Sequence, residues 1–339
     1  MVRSKYVSER IRPKRNAISN LQQAIENADT RMVFLKIGYF VGEEVSKKWT
    51  FFTATENFVR GLCGCMRLVL KNIQYKTWNC RLPHSQGGTI SIFANGPSLS
   101  DVLIDFDRLE EFRGVDFAVV NFFIFSAAFT KIRPKHYCLF DPAFFNDVHP
   151  TFPKTLEMLA LMDELVDWPM NLYIPLANAS SFREKLNLKN TNIVITPVNT
   201  IRYQGSERWS HFFFRNNLAM PDLQNVSVAI VFLAINLGYS QINLYGMELS
   251  FLEKLYVDND NVVYLRDQHF YNVDAPMEPL FKDDMENRFT MFEILDSTAK
   301  AFKAHEQLRA YADSRQVRIL NCTKNSFIDA YERRQAETQ

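Results

Sequence analysis

The chain has 339 residues, of which 47% are apolar and 14% aromatic, and its 39 basic and 38 acidic side chains leave a net charge of +1. This composition excludes an intrinsically disordered protein, and the balanced charge argues against a general nucleic-acid-binding protein. Its five cysteines, none in a C-x-x-C pattern, are too few for a disulfide-stabilised scaffold, so we expect reduced thiols in a cytoplasmic protein.

Residues 1–88 mix basic and aromatic residues without alternating strands and helices, and we interpret them as an N-terminal extension. Within this extension, Glu56–Lys76 has apolar residues at helical spacing together with Arg60, Arg67 and Lys71. Such a helix either lies on an anionic membrane surface or packs on the neighbouring domain. We favour the packed arrangement because two glycines in this segment weaken an isolated helix.

The longest span without a charged residue, Leu223–Met247, is not a transmembrane helix, because its continuous apolar part, Val226–Ile235, is shorter than the roughly 20 residues that a bilayer requires. We predict a buried helix, a turn at Gly238 and a buried strand. Residues Met1–Arg15 are basic but no apolar stretch follows them, so we predict no secretory signal. The expected location is the cytoplasm, with at most peripheral contact with the inner face of the cytoplasmic membrane.

From Thr89 onward, short segments that are apolar on both faces alternate with helical patterns. The predicted strands are Thr89–Ala94, Asp116–Val120, His136–Phe140, Leu172–Pro175, Asn192–Thr196, Gln241–Tyr245 and Val317–Asn321. The predicted helices are Thr155–Asp167, Ser180–Leu186, Leu223–Asn236 and Asp284–Ser314. This alternation predicts an α/β, Rossmann-like domain over residues 89–332, with a mostly parallel sheet, helices on both faces and a short tail at 333–339.

Ligands of such folds bind beyond the carboxyl ends of the strands. The first predicted strand ends in the loop Asn95-Gly96-Pro97-Ser98-Leu99. Its backbone N–H groups and the Asn95 amide suit a phosphate, although a plain structural turn explains the residues equally well. The single glycine excludes a dinucleotide fingerprint.

Further polar residues follow the other predicted strands. Asn121 and Asp141 come directly after the second and third strands, and Gly246 and Glu248 follow the sixth. Because parallel strands end at one edge of the sheet, we expect Asn121 and Asp141 to meet Asn95 around the sugar or base of a nucleotide. Taken singly, each residue is as well explained as a turn or cap residue.

Among the six histidines, His269 lies in a polar segment beyond Glu248, where a loop can cover the ligand crevice, so it is the candidate acid or base. The triplet Asp258-Asn259-Asp260 spells D-x-D, which metal-dependent glycosyltransferases use, but the same triplet is common in turns. No histidine or cysteine spacing is typical of a metal site, and we predict neither a metal nor a cofactor.

The order and spacing of these motifs resemble two related groups, the bacterial sialyltransferases of glycosyltransferase family 42 and the 6-hydroxymethylpterin diphosphokinase-like domain of motility accessory factor proteins, which glycosylate flagellin. The matching segments are Ile92–Leu99, Asp116–Asn121, Phe140–Pro142, Val228–Glu248, His269-Phe270 and Val317–Ile328. The resemblance covers about residues 89–145, 223–272 and 315–332 and implies a GT-A-like variant of the Rossmann fold.

The resemblance implies an inverting, metal-independent transfer from a CMP-activated sugar donor. Its catalytic base matches His269, and the donor-binding asparagines match Asn95 and Asn121. The remaining predicted contacts with the nucleotide, its phosphate or the donor are Gly96, Pro97, Ser98, Phe122, Asp141, Asn225, Ser227, Gly246, Glu248, Ser250 and Tyr256.

Three positions depart from the family pattern. Phe122 stands where the sialyltransferases have a glutamine that contacts the sugar, Glu248 replaces an aspartate, and Ser250 replaces the first of two tyrosines that bind the departing phosphate. Tyr256 matches the second tyrosine only approximately. The transferred sugar is therefore expected to be another nonulosonate or Kdo rather than ordinary sialic acid.

The resemblance further implies a surface glycan, glycolipid or glycoprotein acceptor, as in polysaccharide or lipopolysaccharide biosynthesis, with contact with an anionic membrane and homo-oligomerisation as further expectations. Nucleic acid is not an expected partner. One alternative is a Mg²⁺-dependent pyrophosphokinase-like transferase that uses Asp141, Asp258 and Asp260 as metal ligands. Another is a non-catalytic nucleotide-binding protein of glycan assembly.

Overall fold

The computed structural model describes residues 64–66, 68–70, 72–73, 82–83, 87–106, 110–185, 188–203, 205–266, 268–270, 276–282 and 284–334. The chain separates into two compact units, residues 1–63 and 64–339, and the first lies outside the described residues. Arg60, Arg67 and Lys71 also lie outside them, so contact between this basic segment and a membrane stays a prediction.

Eight strands form one sheet in the order β11-β10-β6-β1-β2-β3-β4-β5, and every neighbouring pair is parallel. They are β1 Thr89–Phe93, β2 Asp116–Val120, β3 His136–Cys138, β4 Met170–Pro175, β5 Ile193–Val198, β6 Gln241–Tyr245, β10 Arg318–Asn321 and β11 Glu332–Arg333. The seven predicted strands are all present, and their residues are largely buried on both faces, as a covered parallel sheet requires.

Helices cover both faces of this sheet, as predicted. They are α1 Leu99–Ile104, α2 Phe129–Ile132, α3 Phe152–Leu165, α4 Ala179–Lys185, α5 Glu207–Arg215, α6 Val226–Leu237 and α7 Met291–Ser314. Residues of α5, α6 and α7 form one apolar core with one sheet face, and residues of α1 to α4 form a second core with the other face. This three-layer arrangement confirms the Rossmann-like α/β fold class.

The apolar helix α6 lies at the centre of one layer. Ten of its twelve residues are buried, so it has no polar face, as expected of a helix enclosed by the protein. It begins at the Asn225 cap and ends where Gly238 adopts a left-handed φ of 92°. The predicted helix, glycine turn and strand are confirmed. None of the described helices combines the length and apolarity needed to cross a membrane.

A small antiparallel sheet follows β6 and was not predicted. It consists of β7 Leu255–Val257, β8 Val263–Arg266 and β9 Met277–Pro279, which are short strands with about half of their residues exposed. The D-x-D triplet forms the turn between β7 and β8, because Asp258 Oδ1 accepts the N–H groups of Asp260 at 3.0 Å and Val262 at 2.8 Å. These hydrogen bonds favour the turn interpretation of the triplet.

The helical residues that precede the sheet pack on this domain. Leu68 and Asn72 are buried, and Asn72 Nδ2 donates to the carbonyl oxygen of Leu218 at 3.0 Å. Asn199 Nδ2 donates in turn to Asn72 Oδ1 at 3.0 Å. Packed structure therefore begins before residue 89, while the division into an extension and a catalytic domain stays a prediction.

Two buried histidines make the fold sensitive to acid. His136 lies between the hydroxyls of Tyr173 and Tyr239, and His305 lies within α7. Burial lowers the pKa of each imidazole to about 4. Because the unfolded chain binds a proton near pH 6.5 and the folded state does not, the stability present above pH 6.5 is lost as the pH falls toward 4.

We expect proton uptake by each of these histidines to lower the free energy of unfolding by about 3 kcal/mol between pH 7.5 and pH 4. The stability difference between the wild-type protein and the His136→Gln variant should therefore shrink by about that amount as the pH falls. Urea unfolding at a series of pH values measures this difference. Parallel pH profiles for the two proteins would contradict the assignment of this proton uptake to His136.

Candidate functional site

The strand order creates a crevice at the carboxyl edge of the main sheet. The chain runs from β1 through β5 in one direction and then returns to place β6 on the other side of β1. Such a topological switch point opens a gap between the loops that follow the two strands. The loops after β1, β2 and β6 line a crevice of ≈ 200 Å³ here, which we call the main crevice.

The main crevice collects most of the predicted site residues. It is lined by Asn95, Gly96, Pro97, Asn121, Asn225, Ser227, Gly246, Glu248, Ser250 and His269. A second cavity of ≈ 510 Å³, the side pocket, shares Asn121, Asn225 and Val226 with it and extends to Asp141, Asn178 and Thr200. The two cavities therefore meet at the end of β2 and at the start of α6.

The loop after β1 uses its own N–H groups internally. The N–H of Gly96 donates to the Gly246 carbonyl oxygen at 2.8 Å, that of Ser98 to Glu248 Oε1 at 2.7 Å, and that of Leu99 to the Gly96 carbonyl oxygen at 3.1 Å. The anion that this loop binds is thus the Glu248 carboxylate. Of the two interpretations of this loop, these hydrogen bonds favour the structural turn over a phosphate site.

Close approach of backbone and carboxylate explains the glycine in this loop. A Cβ atom on Gly96 would lie 1.4 Å from Glu248 Oε2 and 2.6 Å from the Gly246 carbonyl oxygen. Both distances are far below van der Waals contact, so only glycine fits without a shift of the neighbouring backbone. The first and sixth strands are therefore linked by their loops at the base of the crevice.

Three buried oxygen atoms in the crevice lining have no hydrogen-bond partner among the described residues. They are Asn95 Oδ1, Asn121 Oδ1 and Glu248 Oε2, and the side chains of Asn95 and Glu248 are both only 7% exposed. The Asn95 amide is oriented by its Nδ2, which donates to the Val120 carbonyl oxygen at 3.3 Å. Because unpaired buried acceptors are costly, a ligand with O–H and N–H donors would be favoured here.

Asn121 is held in an unusual conformation at the same place. Its φ of 51° lies in the left-handed region, and the Tyr137 hydroxyl donates to its carbonyl oxygen. Asparagine tolerates this region better than most residues do. This turn brings Asn121 to the lining of both cavities.

The lining of the crevice also includes groups that favour an anion. The N-terminus of α6 opens into it at Asn225, Val226 and Ser227, where the helix dipole and unpaired N–H groups favour an anion. Lys254 and Arg266 also line the crevice, the first half-buried and the second exposed. Neither cation was predicted, since a lone basic residue in a surface segment carries no sequence signal.

His269 lies at the crevice as predicted, half-buried and in the same lining as Asn95. Two contacts of the next residue place it there. The N–H of Phe270 donates to the Asn95 carbonyl oxygen at 3.0 Å, and its ring packs against Phe123 with the centroids 5.6 Å apart. The segment that follows β8 is therefore attached directly to the loop after β1.

Three predicted contact residues do not line the main crevice or the side pocket. Ser98 contributes a backbone N–H to Glu248 instead, and Tyr256 is 53% exposed on β7. The ring of Phe122 packs against those of Phe125 and Phe144, with centroid distances of 5.8 and 5.0 Å. Since Phe122 is occupied by this aromatic cluster, it does not support the exclusion of sialic acid as the donor sugar.

The three carboxylates of the magnesium alternative do not share a cavity. Asp141 lines the side pocket and caps the following turn through the N–H of Ala143 at 2.9 Å. Asp258 and Asp260 form the β7–β8 turn, and neither lines the main crevice or the side pocket. Within the described ranges, no group of three or more histidine, cysteine, aspartate or glutamate residues is arranged to hold a metal ion.

Known proteins resemble this chain only distantly. No protein-family model matches the chain, and no curated protein matches it. The solved structure of the MAf glycosyltransferase from Magnetospirillum magneticum AMB-1 aligns with 78% of this chain and 38% of its own, with 14% identity and a TM-score of 0.41.

The aligned part of this chain therefore covers well under half the length of that MAf structure. MAf, or motility accessory factor, proteins are one of the two groups that the sequence resembles, and no comparison supports family 42 specifically. A likeness this distant assigns no function, which has to be inferred from the crevice itself.

Proposed function

We propose that the protein is a glycosyltransferase that takes its sugar from a CMP-linked donor, the sugar being a sialic-acid-like nonulosonate or Kdo. One crevice at the switch point combines three features: buried oxygen atoms that have no hydrogen-bond partner among the described residues, a helix N-terminus and a histidine. This combination is the observation that carries the proposal. A nucleoside monophosphate has complementary groups, hydroxyl and amino donors at one end and an anion at the other.

In this proposal the acceptors recognise the nucleoside. Asn95 Oδ1, Asn121 Oδ1 and Glu248 Oε2 accept hydrogen bonds from the ribose hydroxyls and the base amino group. The phosphate lies at the N-terminus of α6, where Asn225 and the half-buried Lys254 line the crevice. Helix N–H groups and a cation stabilise the departing phosphate, since its negative charge grows as the sugar leaves.

His269 supplies the base. Its imidazole takes the proton from an acceptor hydroxyl while the acceptor oxygen forms a bond with the anomeric carbon. The bond between that carbon and the phosphate oxygen breaks at the same time, and CMP leaves with the electron pair. Attack from the face opposite the leaving group inverts the anomeric centre and requires no covalent enzyme intermediate.

The acceptor that fits this chemistry is a hydroxyl of a surface glycan, glycolipid or glycoprotein. Peripheral contact with an anionic membrane would bring a lipid-linked acceptor to the crevice, and it remains a proposal, as does homo-oligomerisation. Co-sedimentation with vesicles that contain anionic lipid tests the membrane contact. Failure of the intact protein to co-sediment would refute it.

A thermal-shift panel of CMP, CDP, UDP, GDP and ATP, each with and without Mg²⁺, tests the donor class. A ligand that binds only the folded state raises the melting temperature. We expect CMP to stabilise the protein without Mg²⁺. Stabilisation by ATP only in the presence of Mg²⁺ would refute the CMP donor and favour the pyrophosphokinase-like alternative, while CMP binding without transfer of any CMP-linked sugar would indicate a non-catalytic protein.

Replacing Glu248 by glutamine tests the role of Oε2, which has no hydrogen-bond partner among the described residues. The amide oxygen can keep the hydrogen bond from the Ser98 N–H, but an NH₂ group then replaces Oε2, the atom that we assign to the ligand. The NH₂ group of the glutamine is a donor and cannot accept hydrogen bonds from the N–H and O–H groups of the ligand. We therefore expect calorimetry to show that CMP binds at least about tenfold more weakly.

The matched control for this substitution is Glu253→Gln, which removes the same charge from an exposed position in the same segment. This variant should bind CMP as the wild-type protein does. Equal CMP affinity of the Glu248→Gln variant and the wild-type protein would show that Oε2 does not contact the nucleotide.

A further inference from the structure

A chain of hydrogen bonds runs from the domain interior to the N-terminus of α6. His305 is fully buried, with Nδ1 2.9 Å from the Tyr331 hydroxyl and Nε2 3.0 Å from Ser227 Oγ. The Ser227 hydroxyl in turn donates to Asn225 Oδ1, which also accepts the N–H of Val228 at 3.3 Å. Ser227 and His305 are 78 residues apart in the sequence.

The positions of the protons in this chain follow from the number of donors. A serine hydroxyl has one proton, and Ser227 directs it to Asn225 Oδ1, so Nε2–H of His305 must donate to Ser227 Oγ. Burial keeps His305 neutral by lowering its pKa to about 4, so Nδ1 accepts the proton of the Tyr331 hydroxyl. The chain thus requires one tautomer of His305.

The same chain determines the orientation of the Asn225 amide. Its Oδ1 is occupied by two donors from the first turn of α6, so the Nδ2 amide group is on the other side. Asn225 lines both the main crevice and the side pocket, and no described residue accepts a hydrogen bond from its Nδ2. Among the described residues this N–H donor has no acceptor, and it belongs to a residue that lines both cavities beside the first N–H groups of α6.

We propose that His305 is a positioning residue that acts through Ser227 to hold the Asn225 Nδ2 donor toward the phosphate of the bound nucleotide. The identity of that ligand rests on the proposed function. Ser227 itself does not donate to the phosphate, because its only hydroxyl proton is directed to Asn225. This assigns Ser227 a role different from the phosphate contact expected from the sequence.

Calorimetric titration with CMP and with cytidine tests this proposal, because only CMP carries the phosphate. We expect His305→Leu and Ser227→Ala to weaken CMP binding by about ten- to hundredfold and to leave cytidine binding unchanged. The double variant should lose no more than either single variant, since both break the same chain. His305→Gln, which retains a side-chain N–H donor, should recover part of the CMP affinity.

His136→Leu is the matched control. His136 is likewise a buried histidine, and it lies between two tyrosine hydroxyls. It is at the start of β3, so it lies at the amino ends of the strands, whereas the crevice lies at their carboxyl ends. This variant should lose stability and keep the wild-type ratio of CMP to cytidine affinity. If His305→Leu fails to fold, Ser227→Ala decides the test, and an unchanged ratio in Ser227→Ala would overturn the proposal.

The tautomer of His305 provides a test that needs no ligand. Nitrogen-15 NMR of the imidazole in the wild-type protein should show the proton on Nε2 between pH 6 and 8, and a proton on Nδ1 would overturn the proposal. If the wild-type protein binds neither CMP nor cytidine, the proposed donor is wrong, and the tautomer then decides whether the chain of hydrogen bonds is assigned correctly.

Discussion

Replacement of His269 by alanine is expected to lower the rate of sugar transfer by about 10²–10⁴-fold, while CMP binding is retained. The imidazole lies in the lining of the main crevice beside Asn95, but the unpaired acceptors and the α6 N-terminus that we assign to the nucleotide do not depend on it. Single-turnover transfer from a CMP-linked sugar measures the rate, and calorimetry with CMP measures binding. A loss of rate without a loss of binding identifies a group that acts on the reacting atoms.

Two further measurements sharpen this result. Added imidazole should restore part of the activity of the His269→Ala variant, because a small base can enter the space that the side chain leaves. His149→Ala, a half-buried histidine that lines neither the main crevice nor the side pocket, should transfer at the wild-type rate. Full activity of the His269→Ala variant would eliminate the proposed mechanism.

Gly96→Ala is expected to reduce stability by about 1–3 kcal/mol and to reduce CMP binding by more than about tenfold. The Glu248 carboxylate can rotate away from the new Cβ, but the Gly246 carbonyl oxygen, 2.6 Å from it, belongs to the backbone and must shift. That shift separates the two loops at the base of the crevice and breaks the hydrogen bond between Gly96 and Gly246. Urea unfolding and calorimetry with CMP measure the two effects.

Substitutions at two other glycines distinguish the effect of steric contact with a new Cβ atom from the effect of an unfavourable backbone φ. Gly246 has a φ of +65°, and its Cβ would lie 2.9 Å from Leu99 Cβ, whereas Gly114 has a φ of +70° and open space around it. Gly114→Ala should therefore cost only the backbone penalty of about 1 kcal/mol and leave CMP binding unchanged. If Gly96→Ala or Gly246→Ala bound CMP normally, the crevice would not depend on the close approach of these loops.

The fold was predictable because burial leaves a simple pattern in a parallel sheet. Strands such as Asp116–Val120 and Gln241–Tyr245 are covered on both faces and are therefore continuously apolar, and the structure has them with those bounds. The predicted ends of helices were less accurate where specific side chains determine them. The long helix α7 begins at Met291 rather than Asp284, because Thr290 and Glu293 form a capping box there.

The candidate site was predictable only as a set of positions. Parallel strands end at one edge, so Asn95, Asn121 and His269 could be placed together from their order along the chain, and all three line the main crevice. The direction in which each side chain points could not be predicted. Phe122 was expected at the donor, but its ring packs into an aromatic cluster, since a large apolar side chain is stabilised by burial.

The sequence by itself determined the α/β class, the order of the strands along the chain and the residues that follow them, because these depend on local hydrophobic pattern and on the rules of chain connection. Only the tertiary structure decided which groups meet. Glu248 binds the loop after β1 across 150 residues, and His305 reaches Ser227 across 78. Hydrogen bonds between residues so distant in sequence leave no local pattern, and they determine which polar atoms remain available to a ligand.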